Sequence, residues 1–149
     1  MSGVILLLSG PNLNLLGTRT PEIYGTTTLQ EHVDRFRERA QEAGFVVNDL
    51  QSNCEGDLIE AVHDARGAAD AIVVNLGALT HTSWALADAL AAFDGVKVEV
   101  HLSNPAAREP FRHVSTIAGV VNGSIAGFGD LSYDLALEAV RRLLAGRIE

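Results

Sequence analysis

An alternation constrains this chain more than any other feature. Short, β-branched, almost uncharged runs are separated by stretches in which apolar residues recur every three or four positions. A run that is apolar at nearly every position has no side for water, so it fits a strand buried on both faces of a parallel sheet. The helical stretches between such runs are the crossovers that a parallel sheet requires. Val4–Leu8 reads as the first strand, followed by a helix over Thr28–Ala43 with Leu29, Val33, Phe36 and Ala40 inward. Thr28 followed three residues on by Glu31 is a capping box, and Gly44 stands where a helix ends. Phe45–Leu50 reads as the second strand, and a helix over residues 56–66 turns Leu58, Ile59, Val62 and Ala65 inward. Ala71–Leu76 is the third strand, and Thr82–Phe93 a helix capped by Thr82 or Ser83. Val96–Leu102 and Gly119–Ile125 complete five strands, and a helix over Leu131–Leu144 closes the chain.

This order predicts a flavodoxin-like doubly wound five-stranded parallel sheet in three α/β/α layers, a single domain over residues 1–149. Ligands of such sheets bind beyond the carboxyl ends of the strands. Composition narrows the ligand. Eleven basic against nineteen acidic residues leave a formal charge of −8, which lacks the basic footprint of a nucleic-acid binder. One cysteine, Cys54, excludes a disulfide framework or a multi-cysteine metal site, and the five histidines make no close pair at metal-ligand spacing. The longest charge-free stretch, residues 71–87, is interrupted by Asn75, Gly77 and the run Thr80–Ser83, a poor membrane span. With no cationic leader ahead of Val4, a cytoplasmic location is expected. The basic residues are ten arginines and a single lysine, Lys97, so a Schiff-base mechanism has one candidate.

Three strand ends carry polar residues. Residues 9–25 form a connection of about seventeen residues, against the two to six usual in such units, and long connections of this kind are commonly lids or binding loops. It holds Arg19 and Tyr24 between glycines 17 and 25. Strand three ends at Asn75, ahead of His81; an amide there can fix a hydroxyl by donor and acceptor together, although turn chemistry alone also accounts for it. In strand four, Lys97, Glu99 and His101 alternate onto one face, with neighbours about 6.6 Å apart along the strand. A glutamate beside a histidine sets its tautomer and raises its basicity, while a half-exposed polar edge is the plainer reading. The following loop offers backbone N–H groups, Arg108 and Arg112 as anion partners. A GxxxxGK[ST] loop is absent, Gly127–Ser132 matches only the first glycines of a dinucleotide fingerprint, and Ser9, Gly10 and Asn75 occupy the places of a receiver domain's acidic residues. A non-catalytic module for a polyhydroxy acid or nucleotide is the alternative to an enzyme, and a flavin carrier a weaker one.

Taken together, the segments GPNLNLLGTRTPEIYG (10–25), QSNCEGDLI (51–59), GALTHTSWALADAL (77–90) and VEVHLSNPAAREPFRH (98–113) resemble the type II 3-dehydroquinate dehydratases. The resemblance covers almost the whole chain. It implies loss of water from 3-dehydroquinate to give 3-dehydroshikimate through an enolate, without cofactor or metal, in aromatic biosynthesis or quinate breakdown. It implies subunits in trimers, four of which form a dodecamer. By resemblance Tyr24 is the base, Arg19 the lid arginine favouring its phenolate, and Asn12 the holder of a water that stabilises the enolate. His101, paired with Glu99, is the acid. Substrate contacts fall on Asn75, His81, Arg112 and the Leu102–Ser103 turn, and Asp88 reaches a neighbouring subunit's site. A phenol ionises near pH 10, and lowering that by about two units takes roughly 2.7 kcal/mol of preference for the phenolate, which a nearby guanidinium can supply. Departures from the family pattern are Ser9 for asparagine, Cys54 for histidine, Leu76 for proline or alanine, Ala87 for arginine, Ala106 for histidine and Ser132 for glycine.

Overall fold

The computed structural model describes residues 3–146. Strands β1 (Gly3–Ser9), β2 (Phe45–Gln51), β3 (Ala71–Asn75), β4 (Val96–His101) and β5 (Gly123–Ala126) form one all-parallel sheet in the order β2-β1-β3-β4-β5. That is the flavodoxin-like order, and its switch point lies between β1 and β3, the strands that begin the two halves of the sheet. The helices are the short α1 (Pro21–Tyr24), α2 (Leu29–Glu42), α3 (Glu55–Ala65), α4 (Trp84–Ala91) and α5 (Leu131–Gly146).

Alternation along the strands splits the core in two. Ile5, Leu7, Val73, Val98 and Val100 point to the face covered by α2 and α5. Leu6, Leu8, Ile72 and Val74 point to the face covered by α3 and α4. Phe36, at 1% exposure, contributes about 1.5–3 kcal/mol by that burial. The capping box at Thr28 forms with both of its reciprocal bonds, and Gly44 adopts φ 90° after the helix. Ser83, rather than Thr82, caps α4 by accepting from the Leu86 amide. A 3-10 turn over Gly77–His81 occupies the approach, so α4 begins two residues later than the sequence indicates.

The fifth strand also departs from expectation. Pairing begins at Gly123, not Gly119. Val120 and Val121 pack against the α3–α4 core instead of pairing, and the Asn122 side chain accepts the Lys97 amide at 2.8 Å, taking a position a strand carbonyl would hold. Two glycines fasten the connections that leave the switch point. A Cβ on Gly10 would lie 2.3 Å from the Leu76 carbonyl oxygen, and one on Gly77 (φ +58°) 2.9 Å from that of Pro11. The loops after β1 and β3 therefore touch backbone to backbone, a distance only glycine permits.

Candidate active site

Those two loops and the one after β4 enclose a cavity of about 160 Å³ at the carboxyl edge of the sheet. It is small beside the roughly 300–1,000 Å³ of drug-sized sites and suits a compact polar metabolite. The long connection is ordered by its own residues. Leu13 and Leu16 are buried, a 3-10 turn spans Leu13–Leu15, and Asn12 sits in the left-handed region at φ 69°. The Asn12 amide donates to Asn53 Oδ1 at 3.0 Å, which also accepts from Gln51 Nε2, so the end of β2 braces the loop. Asn12 lines the cavity. Gly17 and Gly25, at φ 88° and 78°, bracket the segment that carries Arg19 and Tyr24.

Tyr24 ends α1, half-buried against the cavity. Two guanidinium groups flank its ring, Arg19 at 5.2 Å and Arg108 at 5.1 Å from the centroid. The hydrogen bond to the phenol oxygen, however, comes from Arg108 Nη1 at 2.7 Å. Arg19 is beside the ring as its spacing predicts, but the cation on the hydroxyl is Arg108, considered in the sequence only as an anion partner. Arg108 Nη1 also reaches Ser103 Oγ at 3.5 Å within its own loop after β4, and its bond to Tyr24 ties the lid to that loop.

His101 lines the same cavity. Its Nε2 lies 2.6 Å from Glu99 Oε2. A carboxylate only accepts, so Nε2 carries a proton and Nδ1 is the nitrogen left to exchange one. Glu99 is 2% exposed. Burial works to raise its pKa, but hydrogen bonds from His101, Ser115 and Ser124 outweigh it and hold the carboxyl below the usual range. Ser124 is the cross-strand partner of Glu99 on β5, at 3.0 Å, and Ser115 donates at 2.9 Å from the preceding loop. A buried, fully hydrogen-bonded carboxylate under an imidazole stabilises the imidazolium.

The remaining expected residues divide. Asn75 lines the cavity, 5% exposed, with Oδ1 accepting from the Gly77 amide at 3.1 Å. His81 lines it as well, and its Nδ1 donates to the Val114 carbonyl at 2.7 Å, which leaves Nε2 for a ligand. Leu102 and Ser103 line the cavity, and Arg112 reaches it while pairing with Glu109 and stacking on Phe111. Asp88 does not line it; the side chain is exposed on α4. Lys97 also lies elsewhere, its Nζ donating to the carbonyls of Leu90 and Phe93 at the end of α4. No group of three or more histidine, cysteine, aspartate or glutamate residues among those described is placed to hold a metal ion. No helix among the described residues is long and apolar enough to cross a membrane.

A family profile described as Dehydroquinase class II matches residues 3–141. The chain belongs to the class II dehydroquinase family. It is 56% identical over 136 residues to a 3-dehydroquinate dehydratase of Ruegeria pomeroyi, covering 91% of each chain. Its fold matches the crystal structure of the type II dehydroquinase from Butyrivibrio crossotus, with TM-score 0.91, 40% identity and coverage of 93% and 97% of the two chains. The type II dehydroquinase from Propionibacterium acnes matches with TM-score 0.91 and 42% identity, over 95% of this chain and 98% of that one.

Within this dehydroquinase fold, the residues that sequence reasoning passed over are Ser115, Ser124 and the phenol-binding role of Arg108. Arg108 and Tyr24 are 84 positions apart, so no local pattern links them. The register of β5 on β4 would have brought Ser124 to Glu99, but it rests on a strand boundary the sequence misplaces.

Proposed function

We propose that this chain removes water from 3-dehydroquinate to give 3-dehydroshikimate, without cofactor or metal, as a single catalytic domain over residues 1–149. The observation that carries this reading is that a cation-bound phenol and a carboxylate-backed imidazole line one small cavity together. Tyr24, as phenolate beside Arg108 and Arg19, takes a proton from the carbon next to the ketone, and the electron pair moves onto the carbonyl oxygen as an enolate. Asn12 holds a water against that oxygen. The enolate collapses to the enone as the β-hydroxyl departs, and His101 donates the proton that makes the leaving group water. Proton return from Tyr24 to His101 through solvent resets the site. Asn75, His81 and Arg112 bind the substrate's hydroxyl and carboxylate groups, with the Leu102–Ser103 turn completing the carboxylate seat.

The same reading includes assembly into trimers and of four trimers into a dodecamer, with the exposed Asp88 serving a neighbouring copy's site. The expected place of work is the cytoplasm. Chelator-treated protein mixed with dehydroquinate at neutral pH should give a rising conjugated-enone absorbance, and light scattering should give the mass of twelve chains. Saturable binding with no turnover would replace the dehydratase by a binding module.

A further inference from the structure

The segment that carries Arg19 and Tyr24 gets little hold from its own packing. None of the four residues of α1 is buried, and Thr20, just before it, sits in the left-handed region at φ 38°, an unfavourable place for a β-branched residue. At its tip the segment is held by the bond from Arg108 to the Tyr24 oxygen. Its root is held elsewhere. A Cβ on Gly17 would lie 2.8 Å from the Thr26 carbonyl oxygen and 3.0 Å from Thr28 Cγ2, so the two ends of the segment close onto each other at residues 26–28. From the middle of that stretch Thr27 Oγ1 donates to Asp130 Oδ2 at 2.9 Å, across 103 positions of chain.

Asp130 belongs to the turn between β5 and α5, and that turn is fastened to the end of β4. The Gly127 amide donates to the His101 carbonyl at 3.4 Å, and the Gly129 amide to the Leu102 carbonyl at 3.0 Å. Both acceptor residues line the cavity. Beside the carboxylate, His32 of α2 is 3% exposed; its Nε2 lies 3.7 Å from Asp130 Oδ1 and makes no hydrogen bond to a described residue. One carboxylate oxygen thus takes Thr27 while the other faces a buried imidazole, and the pair of neighbours orients Asp130 toward the lid root. A single turn joins the root of the segment bearing Tyr24 to the strand end bearing His101.

We propose that Asp130 is a positioning residue whose bond to Thr27 anchors the lid root against the end of β4. The chain without substrate then already holds the lid in the arrangement where Tyr24 meets Arg108. The role rests on the dehydratase reading of the site, and Asp130 acts through the lid without touching substrate or reacting atoms. Without the anchor the lid samples open positions, and substrate binding has to restore the closed one, which raises KM and leaves kcat in place.

The test is a cycle of Thr27→Val, Asp130→Ala and the pair in the full chain. Asp130→Asn is the conservative variant, since asparagine still accepts from Thr27 and still suits the residue ahead of a helix. KM and kcat are read by enone formation, and lid opening by amide hydrogen exchange over residues 18–26 without substrate. Thr27→Val is expected to raise KM about three- to ten-fold and to speed lid exchange by a similar factor, with kcat within about two-fold and Tm unchanged. Asp130→Asn is expected to stay within about two-fold of the unmodified chain, and Thr27→Val to add less than about two-fold in the Asp130→Ala background. An unchanged KM or an unchanged lid exchange in Thr27→Val overturns the proposal. So does an equal effect of that change with and without Asp130, or a joint fall of kcat and Tm, which marks plain packing. Exchange needs no turnover, so an inactive unmodified chain would fail the dehydratase reading while the anchor is still tested.

Discussion

Replacing Glu99 by glutamine removes one charge and almost no volume, so its effect isolates what the carboxylate does for His101. The wild-type carboxylate is buried and accepts from His101 Nε2 at 2.6 Å, Ser115 Oγ at 2.9 Å and Ser124 Oγ at 3.0 Å. Glutamine can still accept through its oxygen, and both serine hydroxyls can turn to accept from its amide, so the packing around His101 keeps its shape. What disappears is the attraction between a buried anion and the imidazolium. A charge-assisted hydrogen bond is worth about 1.5–3 kcal/mol net, so its loss corresponds to about a ten- to one-hundred-fold change in rate. The kcat at neutral pH should fall by that factor, because His101 must be protonated to release water. The assay is kcat by enone absorbance at neutral pH, with circular dichroism as a check on folding. An unchanged kcat in a folded Glu99→Gln variant would refute the electrostatic argument and leave Glu99 only a structural brace. Stability supplies a second readout. The folded pKa of Glu99 is depressed below the ordinary 4.5, so its contribution is intact above that value and is lost as pH falls through the folded value. The difference in Tm between wild type and Glu99→Gln should therefore narrow below about pH 4.5 and vanish in stronger acid.

Tyr24→Phe removes the proposed base while keeping the ring between the two guanidinium groups, and kcat should fall by at least about a hundredfold with Tm unchanged. Normal turnover in that variant would strike out the assignment. Arg108→Ala should cost more kcat than Arg19→Ala, because of the two it is Arg108 that donates to the phenol oxygen. An Arg19→Ala variant more impaired than Arg108→Ala would reverse that ranking. Gly10→Ala forces a methyl to 2.3 Å from the Leu76 carbonyl oxygen and should destabilise the chain by about 1–3 kcal/mol, seen as a lower Tm. An unshifted Tm would show that the two loops can separate freely.

The architecture was legible because burial on both faces leaves a mark in the sequence. Ile72, Val73 and Val74 are apolar in succession, and no helix face or half-exposed strand would demand that. The same mark misled at Val120–Val121, where β-branched residues pack beneath a turn: apolarity reports burial and not pairing. The Glu99–His101 contact was readable since two residues apart on a strand share a face. Arg108 was not, because its partner is distant in sequence and an arginine in a loop looks the same whether it faces water or a phenol. Ser115 and Ser124 are silent for a similar reason, being short polar residues whose meaning comes only from the carboxylate they meet. Asp88 stands in sequence beside the cavity segments but in space outside the cavity, a separation that only the fold displays.

The backbone contact between the loops at Gly10 and Gly77 has a consequence for redesign. It joins the Asn12 and Asn75 sides into one rigid wall, and the opposite wall hangs between Gly17 and Gly25. Anyone re-aiming this cavity at a larger hydroxy acid gains little by widening the wall, where a shift in one loop drags the other. Substitutions between residues 18 and 24 that spare Arg19 and Tyr24 act on the segment held between the two glycines and leave the sheet edge in place, so that stretch is where new specificity can be installed.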